Sequence, residues 1–342
     1  MKNKKLLIIR ILLLVGTSIS LWFVPWPIVT AWIKPLPDTI QAQVNKAADY
    51  GFDGIIVYVD QKGKAPAWYT AGWHNTEQQI PAKPNALFKI ASISKLYNAV
   101  SIAKLVASNK LSLDGTLAEY FPEFADRIEN SDQITLKMLV QHRSGIPNFT
   151  ETPNFWNESF QNSQEVLELI FDLPANFAPD TDYEYSNTNY LLISMLIEKV
   201  TGMPRFQYMK ETFLASLGLH NTFGSIKDIS MNDLMSGYYV GIEKDMKTTD
   251  YGSMIATAQD VGTFLRSLND GSIFQNGEQE IYTSIYVYDH TGLIPGYQSI
   301  AKYHEDIDAV VIQFTNTTNF LGYNWNLSEV MYNRVVKILR NE

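Results

Sequence analysis

Strand-like alternation in this chain is confined to two stretches nearly 200 residues apart, and that confinement limits the possible folds more than any other feature. Residues 54–60 and 67–73 alternate apolar and polar side chains about the turn-like Gln61-Lys62-Gly63-Lys64, the pattern of a hairpin at a sheet edge. Alternation returns at 281–288, 297–303 and 309–315, ahead of an amphipathic helix over 327–340. From Leu111 to Tyr238, helical segments alternate with loops punctuated by Pro147, Pro153, Pro174 and Pro179. The two ends are therefore expected to build one sheet, an α/β unit interrupted by a mostly α-helical insertion. Its sheet part would occupy about 37–105 and 250–342, and the insertion about 106–249. Further helices are expected over 38–49 and over 91–109, where no Gly or Pro intervenes.

Ahead of this body, a basic start (Lys2, Lys4, Lys5, Arg10) leads into apolar residues 6–14 and 19–33. That is an export signal or an anchor. Ser18-Ile19-Ser20 could serve as a cleavage region, yet the apolar character continues through Trp22, Phe23, Val24 and Trp26, which favours an uncleaved anchor over residues 1–36. The cations precede the span, so the positive-inside rule puts the N-terminus in the cytoplasm and the body outside, with cleavage and secretion as the alternative.

Charge and composition narrow the chemistry. The formal net charge is −9, and without those four cations the rest carries 23 Lys and Arg against 36 Asp and Glu. Such a body repels nucleic acid and anionic headgroups, so its one membrane contact is expected through the N-terminal segment. The absence of cysteine excludes disulfides, thiolate metal sites and a cysteine nucleophile. The five histidines, at 74, 142, 220, 290 and 304, are dispersed without metal-ligand spacing. No phosphate-cradling glycine loop occurs, and no cofactor is expected.

Three short segments could carry chemistry. Ser92-Ile93-Ser94-Lys95 lies where the strand-like residues 86–90 give way to the 91–109 helix, so Ser92 would sit near a helix start with Lys95 on its own face. Ser101-Ile102-Ala103-Lys104 repeats the pattern, but nine residues at about 100° each turn it to the opposite side. Tyr185-Ser186-Asn187 opens the apolar helix 190–200 and reads equally as an N-cap. His290-Thr291-Gly292 follows the 281–288 strand pattern and reads equally as hairpin punctuation.

Together and in this order, Ser-x-x-Lys, Tyr-x-Asn and His-Thr-Gly resemble the signature of the serine β-lactamase and penicillin-binding-protein superfamily. Tyrosine at the head of the second motif and histidine in the third are similar to the class C β-lactamase and D-Ala-D-Ala carboxypeptidase branch. Leu111-Ser112-Leu113-Asp114, the run from Leu139 to Pro147, and Leu217-Gly218-Leu219 extend the likeness over residues 50 to 340. Departures fall at Asp180 and Asn189, where this group usually has glycine.

The resemblance implies an antiparallel sheet flanked by helices. It also implies an acyl-enzyme on Ser92, with Lys95 and Tyr185 moving protons and either one the base. The backbone N–H groups of Ser92 and Leu293 would form the oxyanion hole, and Asn187 would hold Lys95 and a substrate carbonyl. His290, Thr291 and Gly292 would face the substrate, and a histidine bears less charge toward a carboxylate than lysine. A peptidoglycan-like D-alanyl peptide, a β-lactam, an amide or an ester could be the substrate, the location next to a cell wall favouring a carboxypeptidase-like peptidase. The rival readings are a Ser-His-Asp hydrolase, which lacks its Gly-x-Ser-x-Gly elbow, and a non-catalytic anchored penicillin- or peptidoglycan-binding protein. Phe149, Phe155, Trp156 and Tyr183 could line a cleft or simply anchor loops.

Overall fold

A computed structural model of the chain describes residues 2–158 and 160–342. Helix α1 (Lys2–Trp22) contains a window, Lys4–Trp22, long and apolar enough to cross a membrane, and none of it is buried in the protein. Helix α2 (Trp26–Ile33) packs on the body through Ala31, and Arg334 secures the chain just beyond α2 by donating to the carbonyls of Lys34 (2.8 Å) and Pro35 (2.6 Å). The helix expected at 38–49 is broken into Ile40–Val44 and a 3-10 turn, Ala47–Tyr50, that ends on left-handed Gly51.

The sheet joins both ends of the body. Strands β1 (Gly54–Gln61), β2 (Ala67–Asn75) and β3 (Ile80–Pro81) come from the first end. Strands β4 (His290–Ile294), β5 (Tyr297–His304) and β6 (Ala309–Thr315) come from the second. Their order is β3-β2-β1-β6-β5-β4, antiparallel throughout. β1 is thus interior, paired with β6 from Ile55–Thr315 to Gln61–Ala309, while the expected edge position falls to β3.

Alternation along β1 explains why both its faces are buried. Ile56 and Tyr58 join a core with helices α3 (Ser94–Ala107) and α5 (Ala258–Asn269). Ile55, Val57 and Val59 join a second core against helix α7 (Asn324–Asn341). Helix α4 (Asn187–Thr201) packs on α3 from the helical region.

One expected strand is a helix. Residues 281–288 contribute most of α6 (Glu278–Ile285), preceded by Gly277 and carrying Glu278 and Glu280 in its first turn. Ile281 and Ile285, with Tyr282 and Tyr286, satisfy a helical period as well as a strand's, and Tyr282 and Ile285 are buried. His290-Thr291-Gly292 therefore starts the edge strand β4 instead of ending a strand before it.

Candidate active site

Ser92 sits in a 3-10 turn, Ala91–Ile93, that feeds directly into α3. Ala91 before it takes a left-handed φ of +49°, a conformation that costs a non-glycine residue free energy and that its surroundings must hold. Its amide donates to Ser253 Oγ (2.8 Å), and Gly292 of β4 lies close behind it.

Two motifs distant in sequence meet at the Ser92 hydroxyl, and the third lines the cavity in front of it. Tyr185 Oη donates to Ser92 Oγ at 2.8 Å, and Lys95 Nζ lies 3.2 Å from the same oxygen. Lys95 also donates to Asn187 Oδ1 at 2.9 Å. Its Nζ stands 4.8 Å from the ring centroid of Tyr185 and 5.3 Å from that of Tyr190. His290, Thr291 and Leu293 line the same cavity, which has a volume of about 590 Å³. Gly292 brings β4 against the turn, since a Cβ there would stand 2.4 Å from Ile90 O and 3.0 Å from Ala91 Cβ.

Burial sets the charges. It draws the Lys95 ammonium down to about 7. Burial raises the Tyr185 phenol to about 12 against the opposing bond to Ser92, so the phenol keeps its proton at neutral pH. His290 is drawn down to about 4, chiefly by burial and further by the Lys95 charge. It is therefore neutral near pH 7 and offers a carboxylate no cation there.

Supporting residues escaped the sequence reading. Asn148 Oδ1 accepts from Asn187 N (3.0 Å) and Asn187 Nδ2 (3.3 Å), and Nδ2 also donates to Thr150 Oγ1 (3.2 Å). Asn187 thus turns its oxygen to Lys95, and a substrate carbonyl would have to compete with Asn148 and Thr150 for its amide hydrogens. A lone asparagine and threonine in a loop carry no periodic signal. His142 accepts from Ser186 N at 3.2 Å, and its ring lies 4.4 Å from that of Tyr185, in keeping with a structural role.

The remaining residues sort by location. Phe149, Phe155 and Trp156 line the cavity that holds Ser92, whereas Tyr183 lines a neighbouring one with His142 and Tyr286. Ser101 donates to Tyr97 O and is buried, and Lys104 pairs with Glu278 at 2.6 Å, so the second Ser-x-x-Lys is core structure. Asp180 adopts φ +62° and pairs with Arg143, an aspartate in a glycine's conformation. Asn189 Oδ1 accepts from Ser144 Oγ at 2.7 Å.

A family model for Beta-lactamase matches residues 30–330. The chain belongs to that family. It is 28% identical over 210 residues to an Escherichia coli (strain K12) protein named "Putative D-alanyl-D-alanine carboxypeptidase", covering 57% of this chain and 47% of that protein. It is 23% identical over 265 residues to protein flp of Staphylococcus aureus (strain N315), covering 75% and 53%. The chain thus spans about half the length of these curated relatives.

Among solved structures, the D-amino acid amidase of Ochrobactrum anthropi SV3 superposes with a TM-score of 0.77 at 23% identity, covering 88% of this chain and 97% of that one. A penicillin binding protein from Bacillus halodurans gives 0.71 at 18% identity, covering 86% and 98%. At these identities the likeness is one of fold: the mixed α/β architecture with an antiparallel sheet flanked by helices is that of this family.

Proposed function

We propose that the chain is a serine hydrolase working through an acyl-enzyme on Ser92, most suited to a D-alanyl peptide or a related amide or ester. The observation that carries this is the single hydroxyl held between Tyr185 and Lys95 on the wall of an open cavity. Lys95, half deprotonated near neutrality, takes the Ser92 proton as Oγ bonds to the substrate carbonyl carbon. The oxyanion is stabilised by the backbone N–H groups of Ser92 and Leu293. When the carbonyl–nitrogen bond breaks, Tyr185 gives its proton to the leaving amine and recovers one from Lys95. Water then attacks the acyl carbonyl by the reverse route.

A neutral His290 weighs against an efficient β-lactamase, because a β-lactam carboxylate meets no fixed charge beside Thr291, and it weighs equally against tight binding of a free C-terminal carboxylate, so amide and ester donors without one gain relative to both. The amidase title of the structural neighbour points to an amide donor, and the name of the E. coli relative to a D-alanyl one. The test is to treat the full chain in detergent with a fluorescent penicillin, follow intact mass, and assay D-alanine release from a D-alanyl-D-alanine peptide. A long-lived adduct absent from Ser92→Ala, with D-alanine released, is the expected result. Rapid turnover of the penicillin would make it a β-lactamase, and no adduct or product with any acyl donor would favour the non-catalytic binding protein.

The N-terminal helix is proposed as an uncleaved anchor that holds the body outside the cytoplasmic membrane, since its cations cluster at the N-terminal end of the span. Full-length mass in the carbonate-washed membrane fraction is expected. A soluble body beginning after residue 20 would mean a cleaved signal instead.

A further inference from the structure

The catalytic cavity continues past Ser92. Asn98, Ser194, Glu198 and Arg205 also line it, together with Phe155 and Trp156. Asn98 follows Lys95 by one turn of α3, and Ser194 follows Asn187 by two turns of α4, so this lobe lies roughly 10 Å from the nucleophile. Arg205 Nη1 donates to Asn98 Oδ1 (3.3 Å) and Ser194 Oγ (3.0 Å), both neutral acceptors. Among the described residues, its Nε and Nη2 make no side-chain bond and no carboxylate lies within ion-pair distance. Glu198 turns an oxygen to the Arg205 backbone N instead, at 3.1 Å. Burial disfavours the guanidinium's charge and Glu198 supports it, yet a guanidinium stays charged at any working pH.

A half-buried cation fixed by two neutral side-chain acceptors, with donors left open on a substrate cleft and only the exposed Glu198 carboxylate near it, is placed to receive an anion. We infer that Arg205 forms an acyl-side subsite for a carboxylate, so that the enzyme selects acyl donors bearing an acidic group about 10 Å from the carbonyl that Ser92 attacks. At about 3.3 Å per extended residue, that reach corresponds to an acid on the side chain one or two residues before the acylated one. Two hydrogen bonds hold the Arg205 fork in place, so the acid would be met by a preorganised partner. Glu198 lines the same lobe and opposes the incoming charge, tempering the preference. The inference rests on the acyl-enzyme reading for its direction along the cleft, while the anion subsite itself can be tested without turnover.

The experiment uses two D-alanyl-D-alanine peptides identical except that the preceding residue carries a free side-chain carboxylate or its primary amide. Acylation of the full chain in detergent is expected to favour the acid about 10-fold or more, the worth of a charge-assisted hydrogen bond. Arg205→Gln should reduce that ratio to about one, and Glu198→Gln should raise it. Arg205→Lys, retaining charge without the fork, should fall between and serves if the glutamine variant does not fold. An acid-to-amide ratio near one in the wild type, or one unchanged in Arg205→Gln, overturns the inference. If neither peptide acylates Ser92, the acyl-enzyme reading fails, and equilibrium binding of the same pair to Ser92→Ala still decides the subsite: equal affinities reject it.

Discussion

Lys95→Met is expected to lower the rate of Ser92 acylation by roughly 10³-fold while leaving a folded protein whose melting temperature is higher than that of the wild type below pH 7. The rate follows from losing the proposed base, a group typically worth 10²–10⁴. The stability follows from burial, which draws Lys95 down to about 7 from its ordinary value. Between that value and roughly 10.4, where a lysine in the unfolded chain titrates, the unfolded state binds more protons. Wild-type stability therefore rises with pH through this window, and at or below 7 the folded state bears the full cost of an enclosed ammonium. Methionine removes that cost and forfeits the bonds to Ser92 and Asn187, a smaller loss. The melting-temperature advantage of Lys95→Met should shrink from pH 7 to pH 10. In the wild type, acylation should climb along a one-proton limb near pH 7, while His290, drawn down to about 4, stays neutral across it. A flat acylation profile from pH 5 to 9 would exclude Lys95 as the base, and an advantage independent of pH would exclude its burial as the source of stability.

Why half of this site was legible in the sequence and half was not is a matter of range. Ser92 and Lys95 are three residues apart on one helical turn, so periodicity alone puts them together, and it also sends Ser101 to the far side. Tyr185 meets Ser92 across 93 residues and Asn187 meets Lys95 across 92. No local pattern encodes those contacts, and the resemblance of the three motifs to a known family carried them. The sheet was legible because alternation is a period-two signal, and it misled at 281–288 because isoleucines and tyrosines four apart satisfy both periods. Asn148, Thr150 and Arg205 act through contacts made only after folding, in segments whose composition is ordinary for a loop or helix start. Asp180 shows the complementary case: a departure from the family's glycine is tolerated because aspartate can enter the left-handed region and Arg143 holds it there.

Gly292→Ala should cost roughly 100-fold in acylation, far more than any side-chain change at its neighbour Leu293. The methyl group would stand 2.4 Å from the Ile90 carbonyl oxygen and 2.3 Å from Ser299 Oγ, and backbone cannot rotate away as a side chain can. Strand β4 must then withdraw from the turn that carries Ala91 and Ser92, by an amount on the order of 1 Å. A displacement of that size is enough to cost about 10² when the nucleophile and the oxyanion donor sit on the two separated elements. Overpacking at a buried contact should also lower stability by about 1–3 kcal/mol, a melting shift of a few degrees that leaves the protein folded at assay temperature. Leu293 is 37% exposed and would act through its backbone N–H, so Leu293→Ala should keep near-normal rates. The pair separates two accounts of the His-Thr-Gly strand. If its side chains held the substrate, Leu293→Ala would be the slower variant; if its backbone approach builds the oxyanion site, Gly292→Ala loses acylation with the fluorescent penicillin and with the D-alanyl peptide alike. Near-wild-type acylation in Gly292→Ala would place the second oxyanion donor elsewhere on the cavity wall.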